Sequence, residues 1–113
     1  MLKNTESITG YHAHVYYDSD NKKIAARLRR LIKVHFDTNL GRWHHDPIGP
    51  HPKGMFQVEF RADIFSSLVT WMAFNRDGLS ILVHPLTGDD MADHTSFAIW
   101  LGESLKLRLN KIS

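Results

Sequence analysis

Eight of the 113 residues are histidine, the side chain that ligates metals most often and moves protons near neutral pH. Cysteine is absent. That excludes a cysteine zinc site, an iron–sulfur cluster, a thiol nucleophile and a disulfide scaffold, so a metal site here must be built from nitrogen and oxygen ligands. Period-two alternation sorts the histidines by face. Tyr11-His12-Ala13-His14-Val15-Tyr16-Tyr17 is rich in aromatic and β-branched residues and is predicted to be a strand. With Ala13, Val15 and Tyr17 toward a core, His12, His14 and Tyr16 face the other way. Met55 to Phe60 alternates in the same manner, placing Phe56, Val58 and Phe60 inward and Gln57 and Glu59 outward. Leu79 to His84 is a third such run, with Leu82 and His84 outward. One face therefore collects His12, His14, Gln57, Glu59 and His84. Two imidazoles and a carboxylate (His12, Glu59, His84) on neighbouring strands form a facial triad, a ligand set that leaves metal positions open and suits non-haem Fe(II).

Such a triad requires a particular frame. From Asn21 to about Phe36, Ile24, Leu28, Leu31 and Ile32 recur at helical spacing, with Asp18, Ser19 or Asp20 available as the cap. A short strand is expected between Leu40 and His44. Residues 45–54 carry three prolines and two glycines and form a stiffened loop. A second helix, capped by Asp63, buries Phe65, Leu68, Val69 and Met72. In the tail, Lys106 to Leu109 alternates like an edge strand, and Ser96 to Leu101 is either a short helix or extended chain. The order is strand, helix, strand, strand, helix, strand, tail. It predicts one α+β domain over residues 1–113: a ferredoxin-like sandwich whose four-stranded antiparallel sheet has two helices on one face, plus a C-terminal tail strand. In that topology the first strand lies between the third and fourth. The start of the first strand, at His12, then adjoins the ends of the other two, at Glu59 and His84.

Composition narrows the partners. A net charge of +2 with 23% charged residues carries no strong pull toward nucleic acid. No apolar run approaches the ~20 residues of a membrane span, and the first residues lack the apolar core of a secretion signal, so a cytoplasmic protein is expected. Lys53 to Phe60 overlays an RNA-recognition strand only in part. Met55 and Gln57 stand where that pattern needs stacking aromatics, and Glu59 would repel phosphate, so RNA binding is rejected. Single strand histidines usually serve as hydrogen-bonded structural groups, and it is their convergence that favours a metal. The basic residues from Lys22 to Lys33 form a solvated face, and Trp43 and Trp100 are packing anchors. A helix-free sheet face bearing Leu82 and Met55 leaves apolar surface, which predicts a homodimer unless the tail covers it.

Three blocks, Tyr11 to Asp18, Gly49-Pro50-His51-Pro52, and His84-Pro85-Leu86-Thr87-Gly88-Asp89-Asp90 followed by Asp93-His94 and Trp100-Leu101-Gly102, closely resemble the DOPA 4,5-dioxygenase family. The resemblance runs from about residue 11 to 105 in order. It implies a ferredoxin-like fold, non-haem Fe(II), and extradiol cleavage of a DOPA-like catechol with O2. His12, His14, His51, His84 and His94 occupy the family's histidine positions. The resemblance does not choose the ligands among them, and the metal set His12, Glu59 and His84 rests on strand parity. His14, His94 and His51 are then the catalytic candidates, able to take a catechol proton and return it. His51 has three readings: its loop crosses the open face, it acts elsewhere, including across a subunit boundary, or it is itself a ligand. Two other classes compete, a cofactor-free monooxygenase of the dimeric α+β barrel type and a non-enzymatic module that binds small aromatics.

Overall fold

The structure is a computed structural model and describes residues 2–112. Along the chain run β1 (Gly10–Tyr17), α1 (Lys22–His35), β2 (Asn39–Leu40), β3 (Gly54–Arg61), α2 (Phe65–Asn75), β4 (Ile81–Pro85), α3 (Asp90–Asp93) and β5 (Ile99–Leu101). The strands form one antiparallel sheet in the order β2-β3-β1-β4-β5. It has five strands rather than the expected four plus an edge strand at Lys106–Leu109. The fifth is Ile99–Leu101, which pairs with β4. The alternation of Lys106 to Leu109 instead marks a segment that lies over the sheet: Leu107, with Leu105, packs on its open face. β2 is also shorter than expected, with His44 rejoining β3 by a single bridge to Met55.

Alternation along the strands builds two apolar layers. On one face Ala13, Val15, Tyr17, Phe56, Val58, Phe60, Ile81 and Val83 meet Ala25, Leu28 and Ile32 of α1 and Leu68, Val69 and Met72 of α2. Burial of this set is the main stabilising term of the fold. Neither helix is capped as expected. Asn21 precedes α1 with no side-chain cap bond, its Oδ1 accepting from the Asp18 backbone N–H instead, at 2.7 Å. Asp63 sits inside a 3₁₀ turn (Ala62–Ile64) that leads into α2 and lies beside Arg61. Trp71, off the buried stripe of α2, packs edge-on against Phe36.

On the other face Tyr16, Met55 and Leu82 are covered by Ala98, Trp100, Leu105 and Leu107. The apolar surface that motivated a homodimer is thus closed by the chain's own tail, and Leu82 and Met55 are buried. Register completes the frame. His12 stands opposite Glu59 on β3 and opposite His84 on β4, as the strand order read from the sequence requires. Gly54 lets the incoming loop settle there, since a Cβ at this position would meet the carbonyl oxygens of His44 and His45 at 3.0 Å. Among the described residues no helix is long and apolar enough to cross a membrane.

Candidate metal centre

Five histidines converge on the half of the open face that the tail leaves free. His12 and His14 are two residues apart on β1 and so share a face. His84 enters from the end of β4. His51 arrives on the 45–54 loop, which folds back across the sheet. Arg108 in the tail holds that loop, its backbone N–H donating to Pro50 O at 2.8 Å and its guanidinium to Gly49 O at 3.3 Å. The fifth, His94, sits at the C-terminal end of α3. There the Asp89 carboxylate accepts from the Ala92 N–H at 3.0 Å, a side-chain N-cap. The buried Asp93 carboxylate accepts from both the backbone N–H and the hydroxyl of Thr87. These bonds fold the Thr87–Asp93 segment into the compact turn that brings His94 over His84, with ring centroids 4.3 Å apart.

Two overlapping triplets have ligand-capable atoms within 4.8 Å of one another: His12, His14 and His84, and His14, His51 and His94. Glu59 belongs to neither. Its carboxylate, half exposed, accepts from His12 Nε2 at 2.9 Å. The strand neighbours were therefore legible from the sequence, but the third group brought to His12 and His84 is His14. Tyr16 was not singled out as a functional residue. Its hydroxyl meets His51 Nδ1 at 2.7 Å, and the available signal was its shared parity with His12 and His14.

Burial determines the charge of the cluster. It is the main cause holding His14 well below the ordinary imidazole range, with His51, His84, His12 and His94 adding repulsion. Burial, then the neighbouring imidazoles led by His94, pushes His51 down to about 4. For His84 burial again dominates and lowers it to about 4, although its bond to Pro85 O pulls the other way. These three rings are neutral at pH 7, so each has one nitrogen lone pair to offer. Glu59 is held below the usual carboxylate range chiefly by the hydrogen bond from His12.

For His84, and likewise for His94, a carbonyl acceptor fixes which nitrogen that is. His84 donates its Nδ1–H to Pro85 O at 2.9 Å, and His94 donates Nδ1–H to Asp90 O at 2.7 Å. Both therefore present Nε2 as a lone pair, oriented as outer partners orient metal-bound histidines. His14 Nε2 lies 3.0 Å from His84 Nε2, while His14 Nδ1 is sealed from solvent without a partner. At a metal–nitrogen distance of about 2.1 Å, two ligands at right angles sit about 3.0 Å apart. The donor set fits a transition-metal ion.

A cleft of about 320 Å³ opens beside this cluster, lined by His94, Thr95, Ala98, Trp100, Lys106 and Leu107 among others. A larger one, about 560 Å³, lies between the N-terminal segment and β5 and has no histidine in its lining.

Fold and site together define an α+β protein with a buried, all-histidine cluster able to hold a metal ion. The chain belongs to the Dopa 4,5-dioxygenase family, whose model matches residues 11–111. A DOPA 4,5-dioxygenase from Amanita muscaria is 34% identical over 111 residues, spanning 90% of this chain and 49% of that one. An uncharacterized 21.2 kDa protein from Botryotinia fuckeliana is 38% identical over 114 residues, again 90% of this chain and 62% of its own. The chain thus spans about half to three-fifths of the length of these relatives. Among solved structures, that of a candidate dioxygenase from Nostoc punctiforme matches with a TM-score of 0.95 and 48% identity over 96% of this chain and 95% of that one.

Proposed function

We propose that the histidine cluster holds Fe(II) and that the chain is a dioxygenase performing extradiol cleavage of a DOPA-like catechol with O2, on a ferredoxin-like frame. The observation that carries this reading is the buried pair of imidazole nitrogens, His14 Nε2 and His84 Nε2, 3.0 Å apart beside an unpartnered His14 Nδ1. Family membership supplies the reaction class. His12, His14 and His84 would hold the ion. Bound there, Fe(II) supplies open positions for the catechol and a route for electrons between the ring and dioxygen.

The chain's own groups do the rest. Trp100, stacked on Tyr16 with centroids 5.9 Å apart, gives the cleft an aromatic wall for a flat ring. His94 Nε2, a lone pair because Nδ1–H is spent on Asp90 O, accepts the proton of a catechol hydroxyl and can return it to the opened product. The apolar tail residues Leu105 and Leu107 exclude water from the sheet side. Glu59 acts through His12, holding the ring by accepting its Nε2–H, as carboxylates do behind metal-bound histidines.

Anaerobic reconstitution with Fe(II) followed by a catechol panel tests the assignment. One iron per chain, oxygen uptake and a yellow ring-opened product are expected, with activity lost to a chelator and restored by Fe(II). Full turnover by protein shown to be metal-free by elemental analysis overturns it and favours cofactor-free oxygenation. A second expectation separates orientation from ligation at Glu59. Glu59→Ala is expected to weaken metal affinity by about 10- to 100-fold, the cost of losing an outer partner, while still binding one ion at saturation. Complete loss of the ion in a metal titration would make Glu59 a ligand.

A further inference from the structure

Resting on the metal-site reading above, we propose that Tyr16 makes His51 a hydrogen-bond donor to bound substrate or dioxygen and keeps it out of the ligand set. Tyr16 is fully buried near the C-terminal end of β1, and the one hydrogen bond of its hydroxyl among the described residues is to His51 Nδ1, at 2.7 Å. A hydroxyl hydrogen sealed in a core needs an acceptor. The acceptor here is that ring nitrogen, so Tyr16 donates and Nδ1 accepts. A neutral imidazole carries a single ring proton, which therefore sits on Nε2.

The neighbouring histidines show the opposite wiring. His84 and His94 both turn Nδ1 toward backbone carbonyls, which only accept, and so they present Nε2 as a lone pair. The adjacent tyrosine provides an internal contrast. The Tyr17 hydroxyl has two partners, His44 O at 3.1 Å and His45 Nδ1 at 2.7 Å. It can donate to the carbonyl and accept from the ring. Tyr16 has no such carbonyl, which removes that freedom.

His51 Nε2 makes no bond to the described residues and is not among the buried side-chain atoms left without a partner, so this edge of the otherwise buried ring keeps some contact with solvent. Its ring packs 4.2 Å from that of His14, centroid to centroid, which places the N–H donor at the edge of the metal cluster. The loop that carries it is pinned to the tail by Arg108, and this limits how far the donor can swing. Negative charge that develops on oxygen during ring opening would meet a fixed N–H there, the kind of preorganised donor that favours a transition state. Tyr16 is a positioning residue in this scheme and touches no reactant.

Long-range nitrogen–proton NMR of the metal-free protein reads the tautomer directly. A protonated Nε2 and an unprotonated, hydrogen-bonded Nδ1 are expected at His51, and Tyr16→Phe is expected to move population toward Nδ1–H. Two variants that leave Tyr16 in place provide the second arm. His51→Gln keeps an N–H near the position of Nε2, and His51→Leu does not. Both are expected to retain one Fe(II) per chain. The leucine variant should lower kcat by about 10²-fold, the usual worth of a catalytic hydrogen-bond donor, with glutamine recovering about tenfold of that loss. An unprotonated Nε2 in the native protein, or loss of Fe(II) from both His51 variants, overturns the assignment. Should the native protein bind no Fe(II), the proposed function fails, and the NMR result still decides the tautomer.

Discussion

His84→Ala is expected to abolish stoichiometric Fe(II) binding and to lower turnover by more than about 10³-fold, beyond the 10- to 100-fold cost of an outer partner. Its Nε2 faces His14 Nε2 at 3.0 Å, and its Nδ1–H is committed to Pro85 O, so the ring has one lone pair and one direction in which to offer it. Alanine removes that donor from a buried site and leaves His12 and His14 with a vacancy between β1 and β4. The backbone should tolerate the change, because β4 is held by its pairings to β1 and β5 and by Ile81, Leu82 and Val83 in the two apolar layers. Circular dichroism should confirm a folded variant, and elemental analysis after anaerobic reconstitution reads the iron. A folded His84→Ala protein with a full, tightly held complement of iron would move the metal to the triplet His14, His51 and His94. That outcome would also contradict the donor role assigned to His51.

Acid should destabilise the metal-free protein steeply between about pH 6.5 and pH 4. His51 and His84 are each lowered from 6.5 to about 4, and His14 is lowered as well, burial being the leading cause in all three. Above pH 6.5 these imidazoles are neutral both folded and unfolded, so they impose no penalty. As pH falls below 6.5 the unfolded chain takes up protons that the folded cluster refuses, and stability declines until the folded pKa is reached. A shift of this size is worth about 3 kcal/mol for each of His51 and His84. Either shift alone is a sizeable fraction of the 5–15 kcal/mol that typically holds a whole domain. Urea unfolding of metal-free protein at a series of pH values measures the effect. The midpoint should be flat from about pH 7 to 8 and fall continuously below 6.5, and a midpoint constant down to pH 4.5 would refute it. Bound metal should protect, because it binds the neutral rings and releases protons.

The sequence made the sheet face legible because alternation is a local property. In β1, side chains two apart share a face whatever the strand pairs with, so the co-facing of His12, His14 and Tyr16 could be read directly. The same holds for Glu59 on β3 and His84 on β4. The alternation of strands and helices left few topologies. That was enough to place β1 between β3 and β4, hence His12 opposite both Glu59 and His84. The helix stripes of α1 and α2 were readable for the same reason, their period being set by local geometry.

Local pattern misled where a segment's partner lies far along the chain. Lys106 to Leu109 alternates like a strand, yet it contributes Leu107 to a layer over Tyr16, Met55 and Leu82 instead of pairing, and so removes the exposed face that pointed to a dimer. The 45–54 loop is stiff enough by its prolines to be recognised as a loop, but its direction also depends on partners distant in sequence, Tyr17 on His45 and Arg108 on Gly49 and Pro50. Nothing in the loop's own residues names those partners, so His51's approach to Tyr16 was not legible. Glu59 shows the subtler case. Parity and register placed it beside His12, but whether a carboxylate ligates or orients depends on side-chain reach across the sheet, and here it accepts from His12 Nε2 while the nitrogens that lie within 4.8 Å of one another are those of His12, His14 and His84.

That the strand histidines His12, His14 and His84 face the same way, and the order of the strands that carry them, follow from strand period and chain connectivity, which are local and topological. Folding alone brings His51 and His94 to them. The ring nitrogen each one offers depends on a carbonyl, hydroxyl or carboxylate that folding brings from elsewhere, namely Tyr16 to His51 and Glu59 to His12. A neutral imidazole has one proton to place, and the hydrogen-bond partner supplied by the fold dictates where it goes.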